Sequence, residues 1–252
     1  MRVLLVAMLA SPAAHARPLA GERADFTILS WNVNYGLTGD PAALTVLRDL
    51  DADVVLLQES NAAWEAYLRD AALYPHADFL DDGAAGGLAV LSRWPFRHVA
   101  TTPSPAGWFD AWTVRVETPE GPVQIVQVHL RPPYGNVGGW ATGWIDSASV
   151  HRAEIAAAWA AVDPALPTLV VGDFNEPRGG ALRWLSDRGL RCALHDVSPG
   201  ALTWRWDLGW ITLRNAFDHV VHDPRLAPVE VEVLDRGHSD HLPIRASYAF
   251  SP

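Results

Sequence analysis

The sequence predicts an α/β (α+β) protein in which two β-sheets pack face to face as a sandwich, with helices on both outer sides. Strand-like and helix-like segments alternate toward both ends of the chain, and strands joined by Gly and Pro turns dominate the middle. No G-x-G-x-x-G motif follows the first strand, which argues against a dinucleotide-binding sheet. The 252 residues are enough for one substantial core.

The first four predicted elements are two strands and two helices. They are a strand at 25–33, a helix at 39–53, a strand at 54–60 and a helix at 61–73. Both strands are rich in apolar residues and are bounded by turn residues. Asp40 is suited to cap the first helix, since Pro41 would then occupy its first position, and Asn61 is suited to cap the second.

The rest of the chain contains further strands and one long helix. Strands are predicted in GGLAVLSRWPF, in AWTVRVETPEGPVQIVQVHL with a hairpin turn at 118–122, at 167–175, in NAFDHVV and in HLPIRASYAF. The segment 147–162 predicts the most regular helix, with Ser147 or Ser149 as its cap.

The first residues are typical of a short secretory signal. Arg2 supplies the charged start, residues 3–10 form the apolar stretch, and A-H-A at 14–16 is a small-residue cleavage site. The alternative is a buried N-terminal strand. We expect residues 1–16 to be removed and 17–252 to form a single domain.

Charge and cysteine content narrow the class of protein. The net charge is −10 and all 19 basic residues are arginine, which argues against a protein that holds long duplexes through a basic surface. Cys192 is the only cysteine, so no internal disulfide can form. Export without disulfides is typical of the bacterial periplasm or medium. We therefore expect a secreted or periplasmic monomer with no obligate protein partner.

Polar residues beside apolar strands are the strongest functional signal. They are Asn32, Glu59, His129, Asp173, Asn175, Asp218, Asp240 and His241, each expected at a strand end. Singly, each has an ordinary explanation, such as a turn, a helix cap or a satisfied core histidine. Together they indicate one shared site, because carboxylates are rarely buried unless they are paired or bind a metal.

These residues lie in six short motifs: SWNVN, LLQES, VHLRP, GDFN, FDHVV and SDHLP. In this order, and over nearly the whole chain after residue 16, they resemble the endonuclease/exonuclease/phosphatase superfamily of Mg²⁺-dependent phosphoesterases. That superfamily includes DNase I-like nucleases, sphingomyelinases and inositol polyphosphate phosphatases. The resemblance implies a DNase I-like fold and hydrolysis of a phosphoester.

The resemblance also implies a Mg²⁺ site, with Mn²⁺ as a substitute. It makes Glu59 the main metal ligand and places Asn32 and Asp240 close to the ion. Such a set is chemically reasonable, because hard cations prefer oxygen ligands and Mg²⁺ retains several water molecules.

The other matching residues are implied to act on the phosphoryl group. His129 would stabilise charge or donate a proton there, Asp173 would orient or deprotonate the attacking water, and Asn175 would hydrogen-bond a phosphate oxygen. Asp218 would pair with His241 and so determine which imidazole nitrogen carries the proton.

Four more residues lie near these motifs. Arg131 is equally suited to bind a substrate phosphate or to lie on the surface. Arg152 could reach the site from its helix, but it is expected to brace the fold. His219 should point away from Asp218, because side chains alternate along a strand, and His238 is expected in a loop.

The substrate is less well defined by the sequence. Tryptophans crowd three apparent loops, 106–112, 134–146 and 203–210. There they either pack on the core or form a stacking surface for a base, a choline-like head group or a membrane interface. The leading hypothesis is a phosphodiesterase acting on a nucleic acid or a phospholipid head group, with peripheral membrane contact through these tryptophans.

Two other functions are weighed against this hypothesis. An inositol-phosphate-type phosphomonoesterase would need more cationic residues near the site than Arg131. A catalytically inactive binding module would have lost one of the metal or proton-transfer residues, and all eight are present.

Overall fold

The structure is a computed structural model, and it describes residues 23–133 and 140–251. The predicted signal at 1–16 and part of the tryptophan-rich segment 134–146 lie outside the described residues. Within the described ranges, no helix is both long and apolar enough to cross a bilayer.

The described chain contains fourteen strands and six α-helices. The strands are β1 (Phe26–Asn32), β2 (Val54–Gln58), β3 (His76–Leu80), β4 (Leu88–Ser92), β5 (Phe96–Thr102), β6 (Ala111–Thr118), β7 (Gly121–His129), β8 (Thr168–Asp173), β9 (Arg191–Cys192), β10 (Trp204–Asp207), β11 (Thr212–Asn215), β12 (Asp218–His222), β13 (Leu226–Val233) and β14 (Ile244–Phe250). The helices are α1 (Pro41–Leu50), α2 (Ala62–Ala71), α3 (Gly83–Gly86), α4 (Trp140–Trp159), α5 (Gly180–Ser186) and α6 (Ala193–Val197).

In the described ranges, these strands form two six-stranded mixed sheets and a separate β10–β11 hairpin. The first sheet has the order β13-β14-β1-β2-β4-β3, and the second has the order β5-β6-β7-β8-β12-β9. Each sheet has a parallel pair at its centre, β1 with β2 and β7 with β8. Residues that follow these parallel strands are therefore brought to a common edge of each sheet.

Three hydrophobic clusters define the layers. Inward side chains of both sheets, such as Ile28 and Ile125, form one cluster between the sheets. Leu47 of α1 belongs to a second cluster on the outer face of the first sheet, and Ile155 of α4 belongs to a third on the outer face of the second. Val126 joins this third cluster although Ile125 faces the other way, as alternation along a strand requires. The layers confirm the predicted sandwich with helices on both sides.

The predicted helix caps and hairpin are confirmed. The Asp40 side chain accepts a hydrogen bond from the Ala42 amide at the start of α1, and Asn61 caps α2 in the same way. The turn predicted at 118–122 joins β6 to β7. These signals are local, so neighbouring residues alone are enough to specify them.

The predicted start of the long helix is wrong. Helix α4 begins at Trp140, so Ser147 and Ser149 lie inside it and neither caps it. No proline interrupts residues 140–149, so the helix can extend toward its N-terminus through both serines. Ser147 is buried at 4% exposure, which is the environment of a packed helix face.

Candidate active site

The predicted polar residues meet at one edge of the sandwich. In the second sheet, His129 pairs in register with Asp173, and Asp173 pairs with Asp218. Asp218 begins β12 rather than ending a strand, because β12 runs antiparallel to β8, and this orientation still brings it to the shared edge. Asn32 closes β1 in the first sheet, and its Nδ2 lies 3.2 Å from Asp173 Oδ2.

Gly172 allows the second sheet to place its polar residues so closely. Its φ is +139°, and a Cβ at this position would lie 1.9 Å from the carbonyl oxygen of Val128. A side chain would therefore force β7 and β8 apart. Glycine is required immediately before Asp173 for His129 to lie beside it.

The strand ends line an open cavity of about 350 Å³. Six of the predicted residues contribute to its wall: Glu59, His129, Asp173, Asn175, Asp240 and His241. Asn32 and Asp218 lie behind them and hydrogen-bond to members of this set. The rest of the described lining is apolar or aromatic: Ala85, Phe109, Pro132, Pro133, Trp204, Trp206 and Phe217. The cavity wall thus combines ionisable and polar side chains with apolar and aromatic ones.

Glu59 is held in place by two donors. Asn32 Nδ2 donates to its Oε1 at 3.0 Å, and the backbone amide of Tyr35 donates to its Oε2 at 3.1 Å. The backbone of Glu59 has φ +61°, a left-handed conformation that costs a non-glycine residue roughly 1–3 kcal/mol. Such strain is retained where surrounding structure determines the conformation, and here it directs the carboxylate into the cavity.

Asp240 is the second carboxylate suited to a cation. The side chain of Asn34 donates to its Oδ1 at 3.2 Å, and Trp204 Nε1 donates to its Oδ2 at 3.0 Å. Glu59 and Asp240 are only partly buried and line the same cavity. Two oriented carboxylates in an open cavity fit a hard divalent cation such as Mg²⁺.

Asn32 is better placed to orient Glu59 than to bind a metal directly. Its Nδ2 is used by Glu59 and Asp173, and its Oδ1 accepts the Asn34 amide at 3.0 Å. Both ends of the amide are therefore engaged, and the side chain is fully buried. Asn32 thus lies beside the candidate metal ligand Glu59, and its contacts orient that carboxylate.

His241, in the wall of the cavity, forms a charged pair with Asp218 behind it. Nδ1 of His241 lies 2.9 Å from Asp218 Oδ2, which leaves Nε2 facing Asp173 at 3.5 Å. Burial lowers the pKa of His241, but the carboxylates of Asp218 and Asp173 together raise it by more, to about 10. His241 is therefore an imidazolium at neutral pH, with one N–H directed into the site.

Asp173, Asp218 and His241 also have ligand atoms within 4.8 Å of one another, a spacing that could hold a metal ion. Their hydrogen bonds favour another interpretation. The His241 imidazolium already lies between the two carboxylates, and a cation here would have to displace its proton. The group is better suited to proton transfer, and Glu59 with Asp240 is better suited to the metal.

Asp173 has the properties of a general base. Burial raises its pKa, His241 lowers it and Asp218 raises it, with a result of about 7. Its Oδ1 accepts the Asn175 amide at 2.8 Å, so the carboxylate has a defined orientation. A buried acid that titrates near neutral pH can accept a proton from water without being permanently protonated.

His129 is neutral in this structure. Burial is the main cause that lowers its pKa, to about 3, and the positive charge of His241 adds to it. Nδ1 lies 3.0 Å from the carbonyl oxygen of Ala85, so the proton resides on Nδ1 and the lone pair of Nε2 faces Asp173 at 3.6 Å. Phe109 stacks on the ring with centroids 4.3 Å apart. Charge stabilisation by His129 would therefore require a bound anion to raise its pKa.

Asn175 has a left-handed backbone conformation and a side-chain amide hydrogen that is available to donate. Its φ is +51°, and its Nδ2 donates to the carbonyl of Leu130 at 2.9 Å. An amide nitrogen carries two hydrogens, so the second remains for an oxygen in the cavity. This geometry is compatible with the predicted contact to a phosphate.

The predicted tryptophan loops have different environments. Trp112, in the segment 106–112, is 2% exposed and donates to His98 Nδ1 at 2.9 Å, so it belongs to the core. The segment 203–210 contains β10 rather than only a loop, and it contributes Trp204 and Trp206 to the cavity wall. The segment 203–210 resembles a loop when it is considered alone, because β11, the strand with which β10 pairs, lies after it.

The remaining predicted residues lie outside the described cavity lining. Arg131 has buried Nε and Nη2 atoms without a hydrogen-bond partner among the described residues. His219 is fully buried and points away from Asp218, as predicted, and His238 is exposed beside Asp40.

Three supporting residues were not singled out from the sequence. Asn34 and Trp204 orient Asp240, and Phe109 stacks on His129. Asn34 lies within the SWNVN motif and Trp204 within the tryptophan-rich segment 203–210, so the sequence contained a signal for both. No pattern marked Phe109 as a partner of a histidine 20 positions away.

Comparisons with known proteins concern the family and the fold of this chain. The model of the Endonuclease/Exonuclease/phosphatase family matches residues 29–241. The endonuclease/exonuclease/phosphatase from Beutenbergia cavernae is 23% identical and has a TM-score of 0.69, with 91% of this chain and 72% of that chain covered. A search of curated proteins finds no match.

Two other similar structures contain DNA. TDP2 of D. rerio, complexed with single strand DNA product, is 17% identical with a TM-score of 0.71, covering 89% of this chain and 98% of its own. The 3′ phosphatase NExo from Neisseria, bound to product DNA hairpin, is 19% identical with a TM-score of 0.68, covering 90% and 99%. These similarities confirm the predicted DNase I-like fold.

Proposed function

Because the chain belongs to the endonuclease/exonuclease/phosphatase family, we propose that it is a Mg²⁺-dependent phosphodiester hydrolase. One observation carries the proposal. His241, paired with Asp218 behind it, and Asp173 line the same cavity as the two oriented carboxylates Glu59 and Asp240. Proton-transfer groups beside oxygen ligands are the components that metal-assisted hydrolysis requires.

Glu59 and Asp240 would hold the cation, with Asn32 orienting Glu59. A bound Mg²⁺, or Mn²⁺ in its place, supplies positive charge to the phosphoryl oxygens. Asn34 and Trp204 keep the Asp240 carboxylate in one orientation, which reduces the cost of ordering it when the ion binds.

Asp173 would orient the attacking water and accept its proton. The His241 imidazolium would direct its Nε2–H at the phosphoryl group, stabilise the negative charge that develops there and give this proton to the leaving oxygen as its bond to phosphorus breaks, and Asp218 keeps the proton on the correct nitrogen. The second hydrogen of the Asn175 amide would bind a non-bridging oxygen. His129 would take up a proton from solvent as the substrate anion approaches its Nε2.

A diester is better supported than a monoester. A phosphomonoester carries more negative charge and would require cationic side chains in the cavity wall. The described lining contains His241 as its charged donor and no arginine. Arg131, the predicted candidate, does not contribute to that lining.

A nucleic acid is the first candidate substrate. The similar structures of TDP2 and NExo contain single strand DNA product and a product DNA hairpin. The aromatic wall formed by Trp204, Trp206 and Phe109 offers surfaces on which unpaired bases could stack.

A phospholipid head group is the second candidate, and the β10–β11 hairpin favours it. Its residues Trp206, Leu208, Trp210, Ile211 and Leu213 are all exposed, and Trp210 is 82% exposed. The same hairpin lines the cavity through Trp204 and Trp206. An apolar hairpin beside a reactive cavity suits contact with a lipid surface.

The first test is hydrolysis of bis-p-nitrophenyl phosphate with Mg²⁺ or EDTA. We expect turnover that requires Mg²⁺ and is lost in Asp173→Asn, whereas Asp196→Asn, a surface carboxylate, should retain it. No metal-dependent turnover of this diester, of DNA or of phospholipid vesicles would overturn the proposal.

The second test separates the two substrates. Single-stranded DNA and phosphatidylcholine or sphingomyelin vesicles are compared, using wild type and Trp210→Ser. Loss of vesicle turnover with retained hydrolysis of bis-p-nitrophenyl phosphate would support the lipid. Efficient DNA cleavage that is insensitive to this change would support the nucleic acid.

We also propose export on the basis of the N-terminal segment 1–16. Expression of the full chain in a bacterium should give a periplasmic or secreted product beginning at residue 17. A cytoplasmic product that retains its first 16 residues would contradict this.

A further inference from the structure

A second group of metal-ligating side chains lies on the outer side of the second sheet. Cys192 ends β9, His195 lies in α6, and His219 is the second residue of β12. One ligand atom from each lies within 4.8 Å of the others. We propose that these three side chains bind a Zn²⁺ ion at a site separate from the Mg²⁺ site.

The distances are close to those of a coordinated metal. Cys192 Sγ lies 3.7 Å from His219 Nδ1, and the rings of His195 and His219 have centroids 5.5 Å apart. Ligand atoms around tetrahedral Zn²⁺, with bonds of about 2.0–2.3 Å, are separated by roughly 3.3–3.8 Å. The Cys192–His219 separation already lies in this range, and the His195 ligand atom, within 4.8 Å of both, would move closer when the ion binds.

His219 already has the tautomer that a metal requires. Its Nε2 lies 2.8 Å from the carbonyl oxygen of Glu176, so Nε2 carries the proton and Nδ1 presents a lone pair toward Cys192. Metal-binding histidines commonly donate their second N–H to a carbonyl in this way. The ring is fully buried and packs edge-on against Phe174 at 5.4 Å, which holds its orientation.

The other two ligands are accessible from solvent. His195 is exposed and Cys192 is partly buried, so an ion can reach the cluster from solvent, and water can complete the coordination. When the bond forms, the Cys192 thiol loses its proton to solvent and the thiolate sulfur coordinates Zn²⁺.

The two proposed sites differ in the metal ion that their ligands prefer. Sulfur and imidazole nitrogen favour Zn²⁺ over Mg²⁺, whereas the carboxylates Glu59 and Asp240 favour Mg²⁺. In the chain, His219 follows Asp218, and its partner Glu176 follows Asn175. A bound Zn²⁺ would thus brace two segments that carry active-site residues, without contact to the substrate.

Cobalt provides a spectroscopic test that does not depend on activity. The full chain is titrated with Co²⁺ in excess Mg²⁺, and the near-ultraviolet charge-transfer band of a thiolate–cobalt bond is recorded. Only Cys192 can produce this band, because it is the only cysteine. We expect the band in wild type, its loss when Zn²⁺ is added, and its absence in Cys192→Ser.

A matched pair of histidine variants tests the rest of the site. His195→Ala should weaken Co²⁺ binding at least about tenfold, as expected for loss of a metal contact. His76→Ala, which changes a histidine on β3, should bind Co²⁺ like wild type. His195 is exposed, so its variant is expected to fold even if Cys192→Ser does not, and far-ultraviolet circular dichroism verifies this.

Two results would overturn the proposal. One is the absence of the thiolate band in folded wild type, and the other is equal Co²⁺ affinity of wild type and His195→Ala. Zn²⁺ should also raise the Tm of wild type but not that of a folded Cys192→Ser. Either overturning result would leave the proposed hydrolase function unaffected, since neither measurement uses the substrate.

Discussion

Nδ1 of His241 lies between the two oxygens of the Asp218 carboxylate, 2.9 Å from Oδ2 and 3.0 Å from Oδ1, with both side chains buried. The carboxylate therefore determines both the charge of the imidazole and the nitrogen that faces the cavity. Oriented by Asp218, His241 turns its other nitrogen toward Asp173.

Asp218→Asn should lower kcat on bis-p-nitrophenyl phosphate by about 10²- to 10⁴-fold, the usual range for a lost acid–base function. The amide cannot stabilise the imidazolium, and it permits the wrong tautomer. Steady-state kinetics at saturating Mg²⁺ measures the effect. Asp196→Asn is the control, since Asp196 pairs with Arg191 at the surface. Wild-type kcat in Asp218→Asn would exclude the pair from catalysis.

The dependence of kcat/KM on pH should be bell-shaped. Asp173 must be ionised to accept a proton, so the rate should fall as the pH decreases through about 7. His241 must be protonated, so the rate should also fall as the pH increases through about 10. Because Asp218 raises the pKa of His241, Asp218→Asn should move the basic limb to lower pH. A basic limb that does not move would contradict the assignment.

Glu59→Gln should increase the Mg²⁺ concentration needed for half-maximal activity at least about tenfold. The substitution removes the charge that attracts the cation but retains the size of the side chain. The Tm should change little, because Glu59 is partly exposed at the cavity. Glu65→Gln, at a surface glutamate paired with Arg69, provides the control. An unchanged Mg²⁺ requirement in Glu59→Gln would remove this residue from the metal site.

Trp204→Phe and Trp206→Phe separate hydrogen bonding from aromatic packing. Trp204 donates its Nε1–H to Asp240, so its replacement should weaken Mg²⁺ activation by about 10- to 100-fold, as for other residues that orient metal ligands. Trp206 lines the same cavity without that bond to Asp240, so Trp206→Phe should leave Mg²⁺ activation unchanged. Equal effects of the two substitutions would show that Trp204 acts only by packing.

Local patterns in the sequence account for most of the fold. Strand alternation, the caps Asp40 and Asn61, and the turn at 118–122 depend on neighbouring residues, and each is present in the structure. The start of α4 could not be predicted in this way. Ser147 is an acceptable cap by its chemistry, but it lies inside a longer helix.

The tertiary structure decided how the candidate site residues are paired. The sequence determined the types of groups and their positions beside strands, because motifs such as GDFN and SDHLP are contiguous. The partners of Asp240 are remote: Asn34 is 206 positions away and Trp204 is 36. Likewise, the proton of His129 is placed by the carbonyl of Ala85, 44 positions away. Such contacts depend on how two sheets and a hairpin meet in space, and the local preferences of the chain do not encode contacts between residues so far apart in the sequence.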